Sequence, residues 1–204
     1  DITINLKDFS AWGIPCLEAG STSEYIAYLC NIPGKILADL YNRYGGRLLE
    51  GNVRSFLTVK GKINKGIRNT ILNEPSMFFA YNNGIAATAS DVKLEKTATG
   101  TFIVQITGLQ IVNGGQTTVS LATALLNDRD RADELRSIFV PMKLSVVSPE
   151  KAVGLIPNIA KYANAQNKVS DADFFSNHAF HVRMEEFSRR LMAPAVMGNQ
   201  YGTL

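Results

Sequence analysis

The chain has 204 residues and a mass of 22.3 kDa, and 46% of it is hydrophobic with a mean hydropathy near zero. That is enough apolar surface to bury a core, which excludes general disorder. Charged residues make up 19% and the net charge is +3, so a phosphate-bearing partner is compatible with the composition but not demanded by it.

The elements follow in chain order. Ile2 to Phe9 alternates as a strand does. Thr22 or Ser23 is placed to cap a short helix through Leu29. Pro33 suits a first helical turn, Ile36, Leu37, Leu40 and Tyr44 follow at helical spacing, and Gly45-Gly46 ends that helix. Val53 to Val59 reads as a strand and Lys62 to Leu72 as a helix stopped before Pro75. Phe78 to Tyr81 and Ile85 to Ala89 flank Asn82-Asn83-Gly84 as the arms of a hairpin flank its turn. Thr101 to Val112 is a long apolar strand with a break at Gly108, Gln116 to Leu126 is a helix, and Ile138 to Val147 is a strand. Pro149 to Ala163 and Asp171 to Met192 read as helices. The expected fold is mixed α/β (α+β), a central mixed sheet flanked by helices.

The organisation expected is one domain over 1–204. It has a mostly helical part over 1–50, an α/β core with the motifs over 51–173, and a C-terminal helix and tail over 174–204. The chain has no initiator Met and no closing element after Gly202, so it reads as a piece of a longer protein. No run approaches the roughly 20 apolar residues of a membrane span. Cys16 and Cys30 lack metal or redox spacing and read as reduced thiols of a cytoplasmic protein.

Four segments could carry chemistry. In Ile111-Val-Asn113-Gly114-Gly115-Gln116-Thr117-Thr118 a buried strand enters a Gly pair and then a helix. Helix-start amides carry unpaired N–H groups and partial positive charge, which suits phosphate. The same residues also serve a tight turn with Thr caps, and without a following Lys the segment is no P-loop. Asn82 and Asn83 either build a turn or point a carboxamide into a pocket. Asn164, Gln166 and Asn167 end a helix, yet three carboxamides in four positions exceed what a cap requires. Arg54 and Arg68 lie in a basic stretch over 47–68 that is either a solvated face or a rim for phosphates. His178 and His181 have one-face helical spacing but no third ligand nearby. Magnesium-dependent nuclease or phosphoryl-transfer chemistry needs carboxylates, and Glu50, Asp171 and Asp173 are the acids beside these motifs.

The runs Leu48 to Leu57, Asn64 to Thr70, Phe79 to Ile85, Gln110 to Thr118 and Asn164 to Asn167 resemble, in order, those of the AIPR (abortive infection phage resistance) family. The resemblance covers about residues 25–180 and implies a bacterial role in defence against phage. Residues 101–173 are also similar in order to the small unit of ParB-type partition proteins and sulfiredoxins. That similarity implies a phosphate-contacting turn at Asn113 to Gln116 and a second contact at Asn164 to Asn167. Gln116, Thr117 and Thr118 stand where the ParB turn carries arginines. The function expected is binding of DNA, RNA or nucleotide phosphates through an Asn/Gly/Gln-rich pocket. The alternatives are the metal-dependent enzyme and an interaction module that senses a phage component, with Phe174, Phe175 and Phe187 packing on a partner or on the rest of a longer chain.

Overall fold

A computed structural model of the chain describes residues 1–49, 62–127, 136–165, 183, 192–193 and 202–203. Two compact units are present, Asp1–Asn164 and Ala165–Leu204. The described part of the second includes a short antiparallel pair, Met192–Ala193 with Gly202–Thr203. The expected strand at Val53 to Val59 and most of the helix expected from Asp171 to Met192 lie outside the described residues.

The first unit is a mixed sheet with helices packed on it. Its strands are β1 (Thr3–Asn5), β2 (Ile14–Ser21), β3 (Ile26–Pro33), β4 (Ile85–Ala89), β5 (Asp91–Thr97), β6 (Gly100–Thr107), β7 (Gln110–Asn113) and β8 (Phe139–Val146). Its helices are α1 (Gly34–Tyr44), α2 (Lys62–Asn73), the single turn α3 (Phe78–Tyr81), α4 (Gly115–Asn127) and α5 (Pro149–Ala165). The sheet order is β1-β6-β2-β3-β8-β4-β7, with β5 on the other edge of β6. Only β4 and β8 pair in parallel among the described strands.

Two pairs of strands are halves of longer ones. β4 runs into β5 through Ser90, and β6 runs into β7 through Gly108 and Leu109. Ala87 pairs with Ile111, Thr88 with Gln110, Asp91 with Thr107 and Val92 with Ile106, all in one continuous register. Residues 85–113 therefore form one long antiparallel ribbon. Ser90 marks its bend: its N–H donates to Thr107 O at 2.9 Å and its Oγ donates to the same oxygen at 3.1 Å. Register shifts at Ala86/Ala87 and Lys93/Leu94 add curvature. One half of the ribbon docks on β8 through β4 and the other on β2 through β6. The pairing thus returns on itself through β2, β3 and β8, and the sheet curls around Ile4, Ile14, Ile32, Ile103 and Ile106, all essentially inaccessible.

α4 is the central helix. It buries Gly115, Thr117, Thr118, Val119, Leu121, Ala122 and Ala124, and packs against α1 and α2. α1 buries Ile36, Leu37, Ala38 and Leu40 against it, the stripe that the spacing predicts.

Three expectations are corrected. Residues 1–50 are not mostly helical: β2 and β3 form a hairpin there, with Cys16 opposite Cys30. Thr22 Oγ1 does accept from the N–H groups of Glu24 and Tyr25, but it caps the hairpin turn and not a helix. Phe78 to Tyr81 is a helical turn, so Asn82 to Gly84 is a helix-to-strand link and not a hairpin. β4 finds its partners in β7 and β8 instead, because both its faces are buried and a two-stranded hairpin could not cover them.

Candidate functional site

The strand–turn–helix corner from β7 to α4 is built by side chains from four elements. Gly114 makes the turn at φ 84°. A Cβ there would lie 2.6 Å from Ile85 Cγ2 and 2.7 Å from Gly84 O, so glycine is required by the close approach of the β4 start. Gly84, at φ 76°, is pressed in turn on the carbonyl of Pro141. Gly114 and Gly84 are thus taken up by packing of one backbone on another, whereas the sequence also admitted approach by a ligand at the turn. α4 begins at Gly115, and its first described helical bond runs from Thr118 N–H to Gly114 O at 3.2 Å. No acidic residue occupies its first turn.

Two carboxamide clips hold this corner. Asn82 grips the first turn of α4: the Thr117 hydroxyl accepts from Asn82 Nδ2 at 3.1 Å and donates to its Oδ1 at 3.3 Å. The same Oδ1 accepts from Gly84 N–H at 2.9 Å. Asn113 and Asn164 form the second clip. Asn113 Nδ2 donates to Ala163 O and to Asn164 Oδ1, both at 2.9 Å. Asn164 Nδ2 donates back to Val112 O at 2.9 Å and to Ala160 O at 2.8 Å. The end of α5 is thereby tied to the end of β7. At its other end, Lys151 Nζ donates to Ser23 O and meets Glu24 Oε1 at 3.2 Å. That hydrogen bond, with the neighbouring hydroxyl of Ser23 and the Lys151 charge, holds the exposed Glu24 carboxyl below its ordinary range.

The structure therefore brings Asn82, Asn113, Gly114, Gly115, Thr117 and Asn164 to one corner. Thr117 and Thr118 are buried, and Thr118 Oγ1 donates back to Gly114 O. Gln116 is half-buried in the first turn of α4, and Asn83 is exposed beside Gly84. Arg68 is exposed on α2, the helix packed against α4. Arg54, Gln166 and Asn167 lie outside the described residues, as do Glu50, Asp171, Asp173, His178, His181, Phe174, Phe175 and Phe187. Among the described residues no three His, Cys, Asp or Glu side chains gather as a metal site would need.

Sequence reasoning missed two features. The partners of the clips include main-chain carbonyls of Val112, Ala160 and Ala163, which no motif advertises. Phe79 and Tyr81, expected in the first arm of a hairpin, are 55% and 61% exposed on α3, next to Asn82. Pro75 at the start of the preceding turn was the available signal for helix there.

A family model described as AIPR protein matches residues 49–203 and so spans every residue of the corner. No curated protein and no solved structure matches the chain. Among the described residues no helix is long and apolar enough to cross a membrane.

Proposed function

Since the chain belongs to the AIPR family, we propose that it is a domain of an abortive-infection protein acting in phage defence, and that it binds phosphates of DNA, RNA or a nucleotide at the start of α4. The observation that supports this reading is the convergence of Asn82, Asn113 and Asn164, from three separate parts of the chain, on one helix N-terminus. Their amide groups are engaged with one another and with the backbone, so their role is to hold the corner rigid. The contacts to an anion then fall to the main-chain N–H groups of the first turn and to Gln116, with Asn83 and Arg68 farther out. A helix start presents those N–H groups together with partial positive charge. The absence of a carboxylate in that turn leaves the field uncompensated. The order strand, Gly turn, helix, strand, helix, similar to the ParB and sulfiredoxin unit, accords with phosphate at this turn.

Fluorescence anisotropy with labelled single-stranded DNA and RNA, and with a labelled nucleotide triphosphate, tests it. Saturable binding is expected at 50 mM salt, weakening steeply toward 200 mM as counterions compete. Gln116→Glu is the diagnostic variant. A carboxylate in the first turn favours the helix but repels phosphate, so affinity should fall at least ~10-fold while the unfolding midpoint holds or rises. No saturable binding at low salt, or full binding by Gln116→Glu, refutes the reading.

A further inference from the structure

Cys16 and Cys30 have no redox spacing in the sequence, yet the fold sets them side by side. They are the two cysteines of the chain, and both are free thiols. They stand directly opposite each other at the last paired position of the β2–β3 hairpin. Both side chains face inward: Cys30 is buried in the core and Cys16 packs half-buried against it.

The kind of position they occupy follows from the next strand. Gly34 N–H donates to Ile138 O at 2.7 Å. The β3–β8 register then runs without a shift from Pro33 opposite Phe139 to Ile26 opposite Val146. Hydrogen-bonded and non-hydrogen-bonded pairs alternate along an antiparallel ladder, so the main-chain groups of Gly34, Ile32 and Cys30 all turn toward β8. Pro33 and Pro141, which have no N–H to give, fall on the pairs between. Cys30 therefore offers β2 neither N–H nor C=O, and its pair with Cys16 is of the non-hydrogen-bonded kind. In such pairs the Cα atoms lie about 4.5 Å apart and the side chains are closest. That separation falls inside the roughly 4.4–6.8 Å that a disulfide spans, so closing the bond takes side-chain rotation without backbone movement. The proximity is also felt electrostatically: after burial, the Cys16 charge is the second influence pushing the Cys30 thiol up.

We propose that Cys16 and Cys30 are a reversible dithiol–disulfide site, oxidised and reduced by a small thiol–disulfide couple of the glutathione class, and that the bond locks the mouth of the β2–β3 hairpin. Cys16, the more accessible thiol, loses its proton and attacks one sulfur of the small disulfide. A mixed disulfide on Cys16 forms and one small thiolate leaves, taking up a proton. Cys30 then loses its proton and attacks Cys16 Sγ, which forms the Cys16–Cys30 bond and expels the second small thiol. Two electrons and two protons pass from the protein to the small disulfide, which ends as two thiols. Burial raises the Cys16 thiol above its ordinary range as well, so little thiolate is present at neutral pH and closure is slow. Neither cysteine belongs to the corner at α4, so the site stands independently of phosphate binding there.

Incubation of the full chain with oxidised glutathione, read by mass spectrometry and thiol counting, tests the proposal. Loss of both thiols and of the mass of two hydrogens is expected in a monomer, with Cys16 and Cys30 recovered in one linked peptide pair and dithiothreitol restoring both thiols. Between pH 7 and 8.5 the rate should rise about 10-fold per pH unit, following the Cys16 thiolate. The oxidised chain should melt higher by roughly 5 °C, since the bond closes a loop in the unfolded chain. Cys30→Ser should stop at the Cys16–glutathione mixed disulfide, and Cys16→Ser should take up no glutathione while folded. An unaltered chain that stops at the mixed disulfide would show Cys30 to be out of reach and overturns the proposal. So do disulfide-linked dimers in place of the internal bond, an oxidised form that melts lower than the reduced one, and thiols that react only once urea has unfolded the chain.

Discussion

The Asn113–Asn164 clip makes a quantitative prediction because its bonds can be counted and one of them is shared. Asn113→Ala removes two cross-element bonds, to Ala163 O and to Asn164 Oδ1. Asn164→Ala also removes two, the one from Asn113 and the one to Val112 O. The bond from Asn164 to Ala160 O lies within α5 at an exposed position and adds little. At about 1 kcal/mol net per bond, each single variant should lose about 2 kcal/mol. The double variant should lose only about 3 kcal/mol, because the shared bond is lost once. The expected coupling is therefore about 1 kcal/mol. Urea unfolding of the four proteins measures the cycle, and amide exchange over α5 localises it: the last turn of α5 should exchange faster in all three variants. If the two losses add within about 0.3 kcal/mol, the residues are not acting as a clip. If Asn164→Ala costs less than about 0.5 kcal/mol, tying α5 to β7 contributes nothing beyond what solvent provides.

Gly114→Ala should destabilise by more than about 2 kcal/mol, adding the penalty of positive φ to overlap with Ile85 and Gly84. A small effect in thermal unfolding would mean that this corner relaxes readily. Thr117→Val keeps the volume but leaves Asn82 without its hydroxyl partner, and should lose about 1–3 kcal/mol in urea unfolding. Thr117→Ser should recover most of that loss, and equal losses for the two would place the effect in packing instead. Burial, with the Cys16 charge second, pushes the Cys30 thiol up to about 12 from 9.0. Its folded form stays protonated while the unfolded chain ionises. Stability is therefore intact below pH 9 and falls between pH 9 and 12, by at most about 1.4 kcal/mol per pH unit. Cys30→Ala should show a shallower fall than the parent in urea midpoints from pH 8 to 10.5, and identical slopes would remove Cys30 as the cause.

Much of the fold was legible where a pattern belongs to one element. The stripe of Ile36, Leu37 and Leu40, the apolar run from Thr101 to Val112 and its break at Gly108 all reappear in α1, β6 and β7. Where a local signal competed with tertiary pairing, pairing won. Thr22 and Ser23 look like a helix cap, yet Tyr28, Cys30 and Ile32 alternate inward because β3 must pair with β8 along its whole length. Asn82-Asn83-Gly84 is a strong turn signal, but the chain before it is helical. β5 went unread because Asp91, Lys93 and Glu95 leave only Val92 and Leu94 as its apolar face. In the candidate site, the Gly-turn-helix was visible from Ile111 to Thr118. The junction of Asn113 with Asn164 was not visible from spacing, since fifty residues separate them and only the curl of the sheet closes that gap. What looked like three carboxamides waiting for a ligand proved, at Asn82, Asn113 and Asn164, to be engaged with the protein itself.

The circular path of strand pairing also sets an order of assembly. The ribbon grows outward from the tight reversal between Thr97 and Gly100, where every new contact is near its predecessor in the chain. The last join is different in kind, because Pro33 must find Phe139 across more than a hundred intervening residues, and the entropy of that search is spent before any contact repays it. On a ribosome, β3 therefore emerges with one flank bare and keeps it so until β8 has been synthesised, exposing an adhesive edge during the interval. A charge placed at Leu29, half-exposed on that strand, would guard this interval without touching the finished core.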